Sequence, residues 1–231
     1  MANSELGKAL ADVRAAVAAA ARQAGRDPAS VRLLAVSKTV SADAVREACA
    51  LGQRCFGENR VQELADKAAA LPADIEWHLI GHLQANKVRL AVRSAAWIHS
   101  VDSAALLERI ERIAVEEVRR PVVLLQVNIS GEETKSGVAP AELPELARLA
   151  TLCHAVDWRG LMTLAPYGAP EAELHRIFGG LRRWRDDLEQ SLGRPLPELS
   201  MGMSGDYGVA IAEGATLVRI GTAIFGERSL P

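Results

Sequence analysis

Short apolar runs alternate with amphipathic stretches along almost the whole chain. Near its start, Leu6, Leu10, Val13 and Val17 recur at helical spacing and predict an amphipathic first helix. "VRLLAVSK" then reads as a first strand, followed by "SADAVREACALG", a helix closing on Gly52. The alternation repeats with "RCFGEN" before "RVQELADKAAAL", "IEWHLIG" before "LQANKVRLAV", and "AAWIHSV" before a helix from about Ser103 to Val118. "PVVLLQVNI" is apolar over enough consecutive positions to predict a strand buried on both faces. A polar loop, "SGEETKSG", leads to a helix over 141–153, and "VDWRGLMTL" supplies the sixth strand. The next helix carries Leu174, Ile177, Phe178, Leu181, Trp184 and Leu188 on one stripe, which places Trp184 in the core. "PELSMGM", the short helix "DYGVAIAEG" and "TLVRIG" complete the series.

Eight strands alternating with helices in 231 residues predict an α/β chain folded as a single (β/α)8 TIM barrel, with one extra helix in front. An open doubly wound sheet is the alternative. No linker, low-complexity tract or internal repeat divides the chain, so residues 1–231 are read as one domain. Composition changes little in this picture. At 49% hydrophobic and 24% charged residues the chain can bury a sizeable core, and a formal net charge of -2 gives no reason to expect a nucleic-acid partner. Arg182, Arg183 and Arg185 are answered at once by Asp186 and Asp187, as on a solvated helix face. Cys49, Cys55 and Cys153 form no CxxC pair, which suits reduced thiols in a cytoplasmic setting. Glu5, Lys8, Asp12 and Arg14 interrupt the alanine-rich start, so it does not read as a signal peptide. No apolar run approaches the length of a membrane span.

In such a barrel, chemistry gathers at the carboxyl ends of the strands. The ends read in order as Lys38, Asn59, the turn "GHLQ", Asn128, Met162 with Thr163, Ser204, and Arg219-Ile220-Gly221-Thr222. Lys38 shares the two-residue period of Leu34 and Val36, so it can point into the barrel mouth. A partly desolvated amine there would lose its proton readily and condense with an aldehyde; a solvated strand-end lysine is the plainer reading of this segment alone. "MGMSGDYG" and "RIGTAIFG" add the Ser204 hydroxyl and glycine-bordered amides, the donors that barrels of this type turn on phosphate after strands seven and eight. His78 and His82 stand four apart but straddle a strand end and a glycine turn, without the HExxH glutamate, so no metal is assigned to them. Ser204 is not a nucleophile elbow, because Asp206 stands where the second glycine of GxSxG would be and no histidine follows. Glu58 reads as support for its loop. Lys135 reads equally as a group that swings toward the site and as a solvated charge.

Several segments, in order and spanning about 31–228, carry a resemblance: "AVSKT", "FGENRVQE", "WHLIGHLQANK", "VNIS" with "ETKSG", "GLMT", "LSMGMSGD" and "VRIGTAIFG". The chain resembles the pyridoxal phosphate homeostasis proteins. The resemblance implies a barrel of the alanine racemase N-terminal type (PLP fold type III) holding pyridoxal 5'-phosphate (PLP) as a Schiff base on Lys38. It further implies that Ser204, Gly221 and Thr222 cradle the phosphate, that Arg219 lies near the pyridine nitrogen, and that Asn59 lines the aromatic side. A guanidinium cannot usefully accept the ring's proton and repels a pyridinium, so an arginine there suits holding a cofactor better than carbanion chemistry. The implied role is cofactor homeostasis, with PLP and related B6 vitamers as ligands, PLP-dependent apoenzymes as recipients, a mainly monomeric state and no robust catalysis. A PLP-dependent amino-acid racemase is the enzyme alternative. It would need a second acid/base facing the substrate carbon, which the racemase takes from an extra domain. The chain ends at Pro231, just after strand eight, and neither Tyr167 nor Tyr207 matches that role by motif. A class I aldolase would share lysine, barrel and phosphate site, without a reason for PLP.

Overall fold

The computed structural model describes residues 4–132 and 136–226. Helix α1 (Glu5–Gln23) comes first, capped by Ser4, whose Oγ accepts the Gly7 N–H at 3.0 Å. Strands and helices then alternate: β1 (Arg32–Val36), α2 (Ala42–Ala50), β2 (Cys55–Glu58), α3 (Val61–Ala70), β3 (Glu76–Leu79), α4 (Val88–Ser94), β4 (Trp97–Val101) and α5 (Ala104–Glu116). The series continues with β5 (Val122–Gln126), α6 (Leu143–Leu152), β6 (Asp157–Met162), α7 (Glu171–Leu192), β7 (Glu198–Met203), α8 (Tyr207–Ala212), β8 (Leu217–Ile220) and α9 (Thr222–Phe225). Successive strands pair in parallel, and β1 pairs with β8, so the sheet closes on itself. Closure decides for the barrel over the open sheet.

The two-residue period of the strands creates two apolar layers. Outward-facing residues such as Phe56, Leu79, Ile98, Val123, Leu161, Leu199 and Ile220 pack under the helices in the main core. Trp97, Leu124, Met162 and Leu217 form a separate cluster inside the barrel. α1 packs against α2 on one side and α8 and α9 on the other. Among the described residues β8 is followed by the four-residue α9, and α1 takes its place in the outer ring beside α8 and α9. Its apolar stripe, Leu10, Val13, Val17 and Ala21, is buried there. Arg14 ties it to the Leu51 carbonyl at 2.9 Å and Arg26 to the Ile211 carbonyl at 2.7 Å.

Boundaries depart from the sequence reading in several places. β5 stops at Gln126 and β6 at Met162, two or three residues early. "LQANKVRLAV" splits into a 3-10 turn at Ala85–Lys87 and α4. Trp184 is half-buried, packed against the core from its margin.

Candidate functional site

A cavity of about 940 Å³ opens at the carboxyl ends of the strands. Lys38, Asn59, Ser204, Arg219, Gly221 and Thr222, the six residues singled out in the sequence, all line it. Val36, Gln126, Met203, Asp206 and the loop 164–169 are among the other residues in its walls.

Lys38 stands in a turn beyond the end of β1. The Val40 N–H donates to the Ser37 carbonyl at 3.0 Å, and Thr39 takes a left-handed φ of 62°, unusual for a β-branched residue. Glu63 accepts the Thr39 N–H at 2.6 Å. Beneath the turn lies a buried ionic knot: Lys67 Nζ donates to the Ser37 carbonyl (2.7 Å), Glu58 Oε1 (2.7 Å) and Glu63 Oε1 (2.8 Å), while the Ser37 hydroxyl donates to Glu58 (2.6 Å). Burial pushes the Glu58 carboxyl upward, against the pull of Lys67 and Ser37, and its Oε2 has no hydrogen-bond partner among the described residues. Glu58 therefore supports the lysine-bearing turn, a more specific task than closing its own loop. The Lys38 side chain itself is exposed at the cavity wall; because β1 ends at Val36, the amine lies past the strand ladder and is less desolvated than the sequence suggested.

Glycine sets the approach of two neighbouring loops. A Cβ at Gly81 would lie 2.2 Å from the Asn59 carbonyl oxygen, so only glycine lets the turn after β3 press against the residue that follows β2. Gly202, at φ 93°, brings β7 so close to α8 that a Cβ would meet the Ala210 Cβ at 2.6 Å. The turn that follows has its Met203 N–H donating to Asp206 Oδ1 at 2.5 Å. The backbone N–H groups of Ser204, Gly205 and Gly221 have no partner among the described residues, and they border the cavity beside the Ser204 hydroxyl and Thr222.

Arg219 is buried on the cavity floor. Nη1 donates to Ser200 Oγ at 2.6 Å and Nη2 to the Thr163 carbonyl at 2.9 Å. Burial lowers its pKa to about 10, opposed by Asp206, so the guanidinium stays charged at neutral pH. Burial likewise pushes the Asp206 carboxyl up, with Met203 N–H and Arg219 pulling it back.

Some assignments move. The fifth strand reaches the cavity through Gln126, which donates to the Ser136 carbonyl at 2.8 Å, and not through Asn128. The parity of Val122 and Leu124 carries that signal in the sequence. Asp206, which in the sequence only breaks the GxSxG pattern, is a wall residue of the cavity. His78 and His82 do not converge: His78 faces the interior, bonded to His99, and His82 is exposed, 3.8 Å from Asp102. Cys55, Glu76 and His78 do come together, but a guanidinium nitrogen of Arg32 sits 3.1 Å from Glu76 Oε1, where a cation would have to compete with it. Lys135 lies outside the described residues.

A closed parallel barrel with one basic, donor-rich mouth defines the class, and the family model "Alanine racemase, N-terminal domain" matches residues 9–229. The chain is 48% identical over 227 residues to a pyridoxal phosphate homeostasis protein of Pseudomonas aeruginosa, covering 97% of this chain and 96% of the relative. A protein of the same name from Aquifex aeolicus is 45% identical over 210 residues, covering 90% and 92%. PipY of Synechococcus elongatus, 45% identical, superimposes with a TM-score of 0.85 in its structure without PLP and 0.83 with PLP bound; each match covers 96% of this chain and 100% of PipY. Alanine racemase of Clostridium difficile shares the fold at 13% identity and a TM-score of 0.65. The chain belongs to the pyridoxal phosphate homeostasis protein family.

Proposed function

We propose that this protein binds pyridoxal 5'-phosphate through Lys38 and serves cofactor homeostasis, holding the aldehyde and buffering or supplying it without robust catalysis. The observation that carries this reading is the meeting, in one cavity, of a primary amine, a buried guanidinium and a cluster of amides that have no partner among the described residues. A cavity of about 940 Å³ is ample for a ligand of this size. When bound, PLP supplies an electrophilic aldehyde and an electron-accepting ring.

The chain's own groups divide the work. Lys38 offers its amine from a turn that Lys67 and Glu58 hold down. Ser204, Gly221 and Thr222, with the neighbouring amide of Gly205, offer hydrogen bonds to a phosphate dianion. Asn59, in the cavity wall, would line the aromatic side of the cofactor. Arg219 would present a charged guanidinium to the ring nitrogen; PLP proteins use either a carboxylate or an arginine there, and the arginine would disfavour a protonated ring and so weaken the electron sink. The family membership supports homeostasis over racemisation. The same reading takes residues 1–231 as one domain acting as a cytoplasmic monomer, with PLP-dependent apoenzymes as recipients. No described helix is long and apolar enough to cross a membrane.

Racemisation remains the second reading because Tyr167, fully exposed, stands at the cavity rim. One preparation decides. The protein is mixed with PLP, reduced with borohydride and digested, and D- or L-amino acids are offered to an unreduced portion in deuterated water. The proposal expects stoichiometric label on the Lys38 peptide and negligible α-proton exchange. Label elsewhere, with colour retained in Lys38→Ala, overturns the site; rapid exchange abolished by Tyr167→Phe establishes the racemase.

A further inference from the structure

The barrel interior holds a polar path that the site described above does not account for. Glu76, at the amino end of β3, accepts from Arg32 Nη1 (3.1 Å) and lies 2.9 Å from His78 Nε2. His78 Nδ1 is 2.9 Å from His99 Nε2, and His99 Nδ1 is 2.9 Å from Ser200 Oγ. Arg219 Nη1 donates to that same Ser200 oxygen. The path thus runs from β3 to β4, across the lumen to β7, and up to the guanidinium on β8 at the cavity floor. His78, His99 and Ser200 are fully buried.

The carboxylate end dictates the direction of each bond as far as Ser200, and the arginine end is compatible with it. An arginine only donates, and a carboxylate only accepts. Glu76 is held ionised, its carboxyl lowered to about 2 chiefly by the His78 hydrogen bond, despite burial. Both rings are kept neutral by burial, His99 also by the neighbouring His78 and Arg219. A neutral imidazole that donates through Nε2 to Glu76 must accept at Nδ1. His99 must then donate from Nε2 and accept the Ser200 proton at Nδ1. Ser200, its proton committed, turns a lone pair to Arg219. Trp97 packs against this path, stacked on His78 at 5.1 Å with Arg32 4.7 Å over its ring, which keeps the rings from turning.

We propose that Glu76, His78, His99 and Ser200 are positioning residues: a one-way hydrogen-bond chain that ties the Arg219 guanidinium to a carboxylate at the far end of the barrel and fixes it facing the cavity. The chain stands on the protein's own groups. Only its consequence for a bound ligand rests on the PLP reading.

Two measurements test it on the full-length protein. Two-bond 1H–15N correlation spectra without added cofactor should show His78 and His99 both as Nε2–H tautomers. In Glu76→Gln the end of the chain can donate as well as accept. A population of Nδ1–H should then arise in both rings together, although His99 does not touch residue 76. A wild-type ring in the Nδ1–H form, or a change confined to His78, overturns the chain. PLP titration, followed by visible absorbance, reads the other end. Ser200→Ala should weaken binding about fivefold, the scale of one lost hydrogen bond, and shift the absorbance maximum. Ser200→Thr, which keeps the hydroxyl, should restore both. Binding and spectrum untouched in Ser200→Ala overturn the positioning role. If the wild type never develops visible absorbance with PLP, the cofactor reading fails, and the tautomers alone decide the chain.

Discussion

Lys67 shows how much of the site rests on a residue that touches no ligand. Its ammonium is the only cation bonded to Glu58 among the described residues, and Glu58 is fully buried. Removing the lysine leaves that carboxylate uncompensated and releases the Ser37 carbonyl beneath Lys38. Lys67→Met is therefore expected to cost about 3–5 kcal/mol in urea unfolding at neutral pH and to slow borohydride labelling of Lys38. Glu58→Gln should cost clearly less, because Oε2 has no partner to lose among the described residues and the amide oxygen still accepts from Lys67 and Ser37. Equal losses would mean that Glu58 is not held as a buried anion. The sequence put Lys38 at the mouth by strand parity, whereas the structure brings it to the cavity wall through the turn that follows β1. Lys67 was not legible in the sequence: with Glu63 four residues earlier it reads as an ordinary surface pair on α3, and its partner Ser37 lies 30 residues away.

At the scale of elements, alternation of strand and helix signals carried the order of the barrel, since each strand was flanked by turn residues and each long helix had a stripe. Ends were harder. β5 and β6 stop where their neighbours' hydrogen bonds stop, which depends on register with other strands and not on local hydrophobicity. α1 illustrates the same division: its stripe was visible, its place in the ring was not. Leu10 is 1% exposed, buried where α1 closes that ring. Leu10→Ala should cost about 2–5 kcal/mol, measured by thermal unfolding, whereas Lys8→Ala on the outer face should leave stability nearly unchanged. The glycine turn after β3 predicts a different phenotype. Gly81→Ala forces the loops ending β2 and β3 apart at Asn59, so cofactor titration should weaken several-fold with a smaller change in melting temperature. Unaltered binding would remove Asn59 from the cofactor wall.

The whole molecule encloses two neutral histidines, and that enclosure governs its response to acid. In the unfolded chain each imidazole takes up a proton near pH 6.5. Inside the barrel, burial holds both His78 and His99 below that value. As pH falls through about 6.5 the unfolded state therefore gains protons that the folded state refuses. Stability drops by up to about 1.4 kcal/mol per pH unit for each histidine. Glu76 adds a second loss lower down, between its ordinary value of 4.5 and its folded value of about 2. Partial exposure of the Glu76 side chain, 34%, reduces that contribution to about 1–2 kcal/mol. Glu58, Asp102 and Asp206, pushed upward by burial, oppose the fall because the folded state accepts their protons first. The variant that isolates the histidine effect is His99→Gln, which keeps a hydrogen-bonding group but cannot titrate. Urea unfolding between about pH 6.5 and 5 should give a shallower slope for the variant than for the wild type, by up to about 1.4 kcal/mol per pH unit, whatever its stability at neutral pH. Parallel slopes would mean that His99 protonates as easily folded as unfolded. The interior chain would then lack the neutral ring that its direction requires.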